Sequence, residues 1–382
     1  MADHVAVYSY MIHDLVTNRP ICNVPLQGAK YSKVLNDSGQ ASGKFQVESR
    51  DQGRRMVEDP YDATTPGRRS LVIYRDELPV WAGIIWTRKY DSTSGMVDIG
   101  CGDFWSYFDH RKVLPVLGMP INPTYDIAGA KVIYPNTEQN QIARNLVALA
   151  QTSTGGNIGI VSDASTSLIN RDREYDGYSL IDTGTALRNL ASVIDGPDMA
   201  FDVGGPDANG LPIRQFRQGV PRLGQSGSAW VWELGGNLVS YNWPSDAARY
   251  ASRAFALGEG TVEGTMIAVS EDTSRYSQGF PLMEVETSYP TVSDVSTLQA
   301  HADADQRNSR LPVVLPTLIV RGDRSPVVGE WGLGDDARVI IDDDFMVYGV
   351  DTSMRIVKAE VTPGEDLETV ALTMAPLLDD VA

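Results

Sequence analysis

Residues Ser70 to Arg111 read SLVIYRDELPVWAGIIWTRKYDSTSGMVDIGCGDFWSYFDHR, and this stretch limits the chain to a narrow set of folds. Two strand-like runs, Leu71–Tyr74 and Val80–Tyr90, flank Arg75-Asp76-Glu77-Leu78-Pro79, and a third, Met96–Asp103, follows the turn Asp91-Ser92-Thr93-Ser94-Gly95. β-Branched and aromatic side chains suit a pleated, half-buried surface, whereas Asp, Ser, Gly and Pro suit turns. The pattern therefore predicts an antiparallel meander with Asp76 and Glu77 in a tight turn. Gly83, inside the second run, predicts a bulge or a close backbone approach where the sheet bends. The segment Phe104-Trp105-Ser106-Tyr107-Phe108 carries four aromatics in five residues, more than one strand face holds, and is expected to cap the end of a small barrel.

The chain before this stretch repeats its texture. Val5–Val16, the turn Asn18-Arg19-Pro20 and Ile21–Leu26 read as a hairpin, as do Ala29–Leu35, Asn36–Gly39 and Gly43–Glu48. Residues 1–114 are thus expected to form a first β-barrel domain, with turn signals at regular spacing. Beyond Lys112 the prolines Pro115, Pro120 and Pro123 mark a linker into an inserted α/β domain, 115–235. There a helix opens at an expected Thr137 cap with Ile142, Leu146, Val147 and Leu149 on one face. A second helix begins at Asp182 or Thr183, with Leu187, Leu190, Ala191 and Ile194 as its apolar stripe, and Phe201–Val203 follows as a strand.

Ala229–Leu234, Leu238–Trp243 and Tyr250–Leu257 are strand-like, and Gly235-Gly236-Asn237 reads as a hairpin turn. Residues 236–262 are assigned as the return to the first barrel. Residues 263–382 are assigned as a second barrel, with a short helix at 294–309 that puts Val295, Leu298 and Ala302 inward. Its closing meander comprises Ala337–Ile341, Phe345–Val350, Ser353–Thr362 and Glu368–Thr373. The expected class is β-rich α+β: two small β-barrel-like domains, an inserted α/β domain and a second small α/β element. At 382 residues the chain exceeds one compact core, which agrees with several domains.

The net charge is −18, from 50 acidic against 32 basic residues, and opposes bulk binding to phosphate backbones. The basic clusters Arg50/Arg54/Arg55 and Arg68/Arg69 lie in turns and read as solvated loops. Cys22 and Cys101 are the only cysteines, too few for a disulfide scaffold and in no metal-ligand pattern. The N-terminal run lacks a basic leader, and Leu311–Val320, the longest apolar run, contains two prolines. A soluble protein without signal peptide or membrane anchor is expected.

His4, His13, His110 and His301 are scattered without metal-ligand spacing, and Gly224-Gln225-Ser226-Gly227-Ser228 lacks the last glycine of a nucleophile elbow. Asp342-Asp343-Asp344 reads as a solvated hairpin tip, since no DxDxDG register surrounds it. Asp98, Asp103 and Asp109 were the remaining candidates for a carboxylate pair, with nothing to fix their separation. No catalytic, cofactor-binding or metal-ligating residue is assigned. The aromatics say more: Trp81 and Trp86 point to opposite faces by strand parity, and Trp230 and Trp232 share one. With Trp105 and Tyr107 they are expected to lie at an interdomain or intersubunit interface, where aromatics are enriched. A carbohydrate-stacking platform is the competing reading of the same rings.

Three stretches carry a family resemblance. LVIYRDELPVWAGIIWTRKYDSTSGMVDIGCGDFWSYFDHRKV resembles the strand–turn–strand meander of siphophage tail-tip hub proteins, the minor tail proteins of actinobacteriophages. GGNLVSYNWPSDAARYASRAFALGEG resembles that family's return from its inserted domain, and GEWGLGDDARVIIDDDFMVYGVDTSMRIVKAEVTPGEDLETVALTMAP its closing barrel. The resemblance implies a homotrimeric ring at the distal end of a virion tail, made in the host bacterial cytoplasm. Its implied partners are the distal tail protein ring, the C-terminus of the tape measure protein, and tip or fibre minor tail proteins below. Genome DNA would pass through without specific binding, and an acidic lumen would suit that passage. Family members often continue into a peptidase or fibre, whereas this sequence stops at Ala382, which implies a structural, non-enzymatic role. A carbohydrate-binding baseplate protein touching the host surface is the alternative, and a cell-wall-degrading enzyme ranks third.

Overall fold

The computed structural model describes residues 6–48, 57–118, 122, 124–193, 195–220, 222–227, 229–274, 276–289, 295–310, 314–364 and 367–377. Pro120, Pro123, Ile194 and the arginines 50, 54 and 55 lie outside the described residues. The chain forms two compact units, Met1–Ser240 with Leu318–Ala382, and Tyr241–Thr317.

The first unit opens with β1 (Tyr8–Asp14), β2 (Pro20–Asn23), β3 (Gln27–Val34) and β4 (Gln40–Gln46). A short helix α1 (Pro60–Ala63) precedes β5 (Arg69–Arg75), β6 (Leu78–Asp91), β7 (Met96–Asp103) and α2 (Trp105–Phe108). The meander is as the sequence predicts. Asp76 and Glu77 have φ of 49° and 67° between the paired residues Arg75 and Leu78, the left-handed geometry of a two-residue hairpin turn. A Cβ on Gly83 would stand 2.3 Å from the Gly102 carbonyl oxygen and 2.4 Å from the Trp81 ring, so only glycine lets β6 and β7 approach there.

The insert comprises β8 (Lys131–Glu138), α3 (Gln139–Thr152), β9 (Ile160–Ser162), β10 (Asn170–Asp176), α4 (Thr183–Ala191), β11 (Met199–Pro206) and β12 (Pro212–Gln218). β8 pairs with β10, and β12 lies between antiparallel β11 and parallel β9. Glu138, not Thr137, caps α3: its carboxylate accepts from the backbone N–H of Asn140 at 3.0 Å and of Gln141 at 2.8 Å. A carboxylate satisfies two orphan donors and meets the positive helix end, whereas the Thr137 hydroxyl donates to the Pro135 carbonyl.

The chain continues through β13 (Trp230–Glu233) and β14 (Leu238–Asn242). In the second unit, β15 (Arg253–Leu257) pairs with β16 (Ile267–Glu271) and β17 (Glu284–Ser288), and α5 (Val295–Ser309) packs Leu298 and Ala302 with Ala256 and Ala268. Val295 is exposed, not inward. The antiparallel pairing of Leu257 with Ile267 runs across the expected boundary at 262/263. The chain ends with β18 (Thr317–Arg321), β19 (Asp336–Ile341), β20 (Val350–Thr362) and β21 (Thr369–Pro376).

The two ends of the chain are joined, within the β-rich α+β class that the sequence leads one to expect. Among the described residues they hydrogen-bond into one 13-stranded sheet, β14-β18-β21-β20-β3-β4-β7-β6-β5-β1-β2, with β13 attached through β19 to β20. One edge of β20 serves both halves: Val350–Arg355 pairs with β19 and Lys358–Val361 with β3. Each half completes an edge that the other would leave unpaired. The Gly235-Gly236-Asn237 turn is likewise not a hairpin, for β13 runs parallel to β19. Asn237 instead accepts from the Glu233 N–H and donates to the carbonyls of Val231 and Ser325, and so occupies the edge that a returning strand needs. Phe345–Gly349, expected as a strand to Val350, is a bent loop, because the Asp343 carboxylate takes the N–H groups of Phe345 and Met346.

Three arginines tie distant segments. Arg75 forms a double hydrogen bond to the Glu368 carboxylate, at 3.0 and 2.9 Å, and the Tyr8 hydroxyl donates to the same group. Arg355 binds Asp198 of the insert. Arg214, 2% exposed, donates to the Leu15 carbonyl at 2.5 Å, the Ile158 carbonyl at 2.7 Å and the Ser70 hydroxyl at 3.2 Å. Burial pushes its guanidinium down to about 10. Asp103 is buried too, accepting from the Gly39 N–H at 2.7 Å, the Ser38 hydroxyl at 3.0 Å and the Trp105 N–H at 2.9 Å.

Removing one member of a buried pair strands the other in low dielectric. Glu368→Ala is therefore expected to cost about 3–5 kcal/mol in urea unfolding. Asp351→Ala, which opens an exposed pair with Arg338, is expected to leave the midpoint nearly unchanged. Equal effects of the two changes would contradict the account. Burial raises the Asp103 carboxyl from 3.8 to about 7 against its three donors. Its contribution is thus fully present below 3.8 and lost as pH rises through about 7. Urea unfolding at several pH values should show wild type losing ground to Asp103→Asn across that window and holding a constant difference above it. A difference independent of pH would count against the raised value.

Candidate functional site

The aromatic residues expected at an interface are mostly internal. Trp81 is buried, its indole N–H donating to the Ser32 carbonyl at 3.0 Å. Trp105 is fully buried against Phe201 of the insert, with ring centroids 5.7 Å apart. Phe104, Trp105 and Phe108 join Val72, Ala82 and Ile84 of the meander to Ile142, Leu146, Leu187 and Leu190 of the insert in one core. The aromatic segment therefore cements two parts of one chain and does not cap a barrel. That core also explains why β6 is apolar on both faces: the insert covers the second one.

Tyr107 donates to the Gly156 carbonyl at 2.7 Å, again towards the insert. Trp232 is fully buried edge-on to Trp331, and the half-buried Trp230 donates to Asp335 at 3.2 Å. Trp86 is half-buried; its indole donates to the Ser106 hydroxyl at 2.7 Å, and its ring stacks on His110 at 4.5 Å. Of the six, the structure brings Trp105 and Tyr107 to the junction with the insert and distributes the rest along the sheet.

The shared sheet presents two concave features, on opposite faces of β3 and β20. Strand alternation sorts them. Lys30, Ser32 and Val34, with Lys358 and Glu360, line an open trough of about 850 Å³ that continues over Ser42, Gly100 and Gly102 to Trp86. Tyr31 and Lys33, with Ala359 and Val361, line a slot of about 60 Å³, closed by Val80, Val328, Trp331 and Leu333. The slot is apolar except for Lys33, whose ammonium meets Asp202 at 2.8 Å. At the trough floor, burial pushes the Cys101 thiol well above its ordinary value and leaves it unreactive.

A third feature is convex. The loop between β19 and β20 exposes Phe345, Val347 and Tyr348, the last at 99%. Sequence reasoning assigned these residues to a strand and missed them as a surface. The legible signal was an aromatic run directly after three aspartates, where a polar turn and an apolar tip meet.

The titratable candidates do not converge. Asp98 is exposed, Asp103 is held by backbone donors, and Asp109 forms a double hydrogen bond to Arg188 at 2.6 and 3.0 Å. Arg69 binds Asp14 and Asp62, and Arg68 binds Asp62, so that basic pair is engaged inside the chain. Burial lowers the His13 pKa, and its Nδ1 bonds the Asn18 carbonyl at 2.9 Å. Among the described residues no group of His, Cys, Asp and Glu is arranged to hold a metal ion, and no helix is long and apolar enough to cross a membrane.

No family model matches the sequence, and no curated protein resembles it in sequence. Solved structures do match its fold along almost its whole length. The 43 kDa tail protein of prophage MuSo2 from Shewanella oneidensis superposes with a TM-score of 0.64 at 12% identity, covering 97% of this chain and 98% of that one. A tail protein from Neisseria meningitidis gives a TM-score of 0.57 at 13% identity, covering 96% of both chains. The prophage tail protein gp18 from Listeria monocytogenes gives 0.52 at 10% identity, covering 96% of this chain and 94% of that one. At such identity the likeness is one of fold: this chain has the architecture of phage tail proteins, from its first strand to its last.

Proposed function

We propose that this chain is the structural hub of a phage tail tip: a homotrimeric ring at the distal end, below a ring of distal tail protein and above tip or fibre proteins. In this reading the two halves of each shared sheet alternate around the ring. The C-terminus of the tape measure protein ends on it, and the genome passes through its centre. The observation that carries the proposal is the end-to-end correspondence of fold, 97% of this chain on 98% of a prophage tail protein.

The net charge of −18 supports a passage that DNA traverses without adhering. In this reading the role is assembly and not catalysis. The alternative, a sugar-binding platform built on tryptophan faces, would rest on half-buried rings such as Trp86, which lines the trough and stacks on His110.

Light scattering on the purified protein is expected to give three times the 41.6 kDa chain mass. Electron microscopy of the mixture with a distal tail protein ring is expected to show the two coaxial. A species that stays at one chain mass and ignores that ring would overturn the proposal.

A further inference from the structure

We propose that the loop Asp342–Gly349 of one copy seats its aromatic tip in the slot beside Val80, Val328 and Leu333 of a second copy, joining subunits head to tail. The inference deepens the hub reading and rests on it for the number of copies that close the ring.

The tip is built to be presented. Tyr348 is 99%, Phe345 75% and Val347 67% exposed, a concentration of apolar surface that a lone subunit leaves in water. The backbone beneath is fixed: the Asp343 carboxylate accepts from the Phe345 N–H at 2.9 Å and the Met346 N–H at 2.8 Å, and Gly349 N–H donates to the Met346 carbonyl at 2.7 Å. A preformed tip loses little conformational freedom on docking.

Its own chain cannot receive it. The tip directly precedes Val350, the first residue of β20, while Ala359 and Val361 of the slot lie near the far end of that strand. Ten residues of strand separate them by about 33 Å. A donor and an acceptor at opposite ends of one rigid strand form a heterologous contact, the kind that generates rings.

The two surfaces are complementary. The slot walls are Val80, Val328, Leu333, Val361 and aromatic rings, and among the described residues Lys33 is the one charged side chain that lines it. Lys33 is one-third exposed, with donors beyond its contact to Asp202. The tip brings apolar rings flanked by Asp342, Asp343 and Asp344. The slot's volume of about 60 Å³ falls well short of the roughly 150 Å³ cavity that encloses a benzene ring, so it takes the edge of one ring of the tip. The three aspartates also oppose insertion into an anionic lipid surface.

Sedimentation equilibrium of wild type and Tyr348→Ser reads the contact directly. The substitution lies on a fully exposed side chain, so the melt of the dissociated chain at low concentration should not move, while association should weaken at least tenfold. In a Cys22→Ser background, oxidising a mixture of Tyr348→Cys and Leu333→Cys chains should give a disulfide-linked dimer that neither variant gives alone. Association equal to wild type in Tyr348→Ser, with no mixed cross-link, overturns the contact and leaves the hub reading standing. A wild-type chain that never associates overturns both.

Discussion

Four residue pairs hold this molecule to its architecture. Tyr31 to Val34 of β3 lie against Val361 to Lys358 of β20, and the ladder is extended by the Leu35 N–H donating to the Val357 carbonyl at 2.9 Å. Without this seam the N-terminal meander and the closing strands would be two open sheets, each with an unpaired edge inviting another chain. With it, residues more than 300 apart in sequence share one hydrogen-bonded surface. The Arg75–Glu368 pair reinforces the same union from side chains, since β5 and the approach to β21 meet around one desolvated carboxylate. The trough and the slot exist because β3 and β20 alternate their side chains on opposite faces of that seam.

Much of the local structure was legible in sequence. Met96–Asp103 forms the strand its β-branched and glycine pattern predicts, and Asp76-Glu77 makes the turn its polar residues require. Gly83 marks the close approach it signals. These outcomes depend on a few neighbouring residues, so the sequence carries them locally. The seam between β3 and β20 was not legible, because which edge pairs with which is decided by contacts hundreds of residues apart. The hairpin at Gly235-Gly236-Asn237 failed for a related reason: the turn chemistry is right, but Asn237 uses its amide to block the edge. Thr137 lost the cap to Glu138, a longer acceptor one residue later.

Two of the aromatic side chains expected at an interdomain or intersubunit interface sit at an interdomain one. The interface at Trp105 and Tyr107 lies within the chain, where the insert covers the meander's second face. The surface left for partners carries different residues: the tip at Phe345, Val347 and Tyr348, and the slot across the sheet. An apolar tip on a backbone that the Asp343 carboxylate holds is suited to defined docking, and less to general adhesion. A net charge of −18 adds long-range repulsion that only close, complementary contacts overcome.

Hydrogen exchange of the native protein tests the continuous sheet most directly. If the seam unites both ends of the chain, amides of β3 at Tyr31–Val34 and of β20 at Lys358–Val361 exchange with one common opening free energy, equal to that of global unfolding. Strands β18 to β21 exchanging as a separate, less stable block, while β3 to β7 stay protected, would contradict the account.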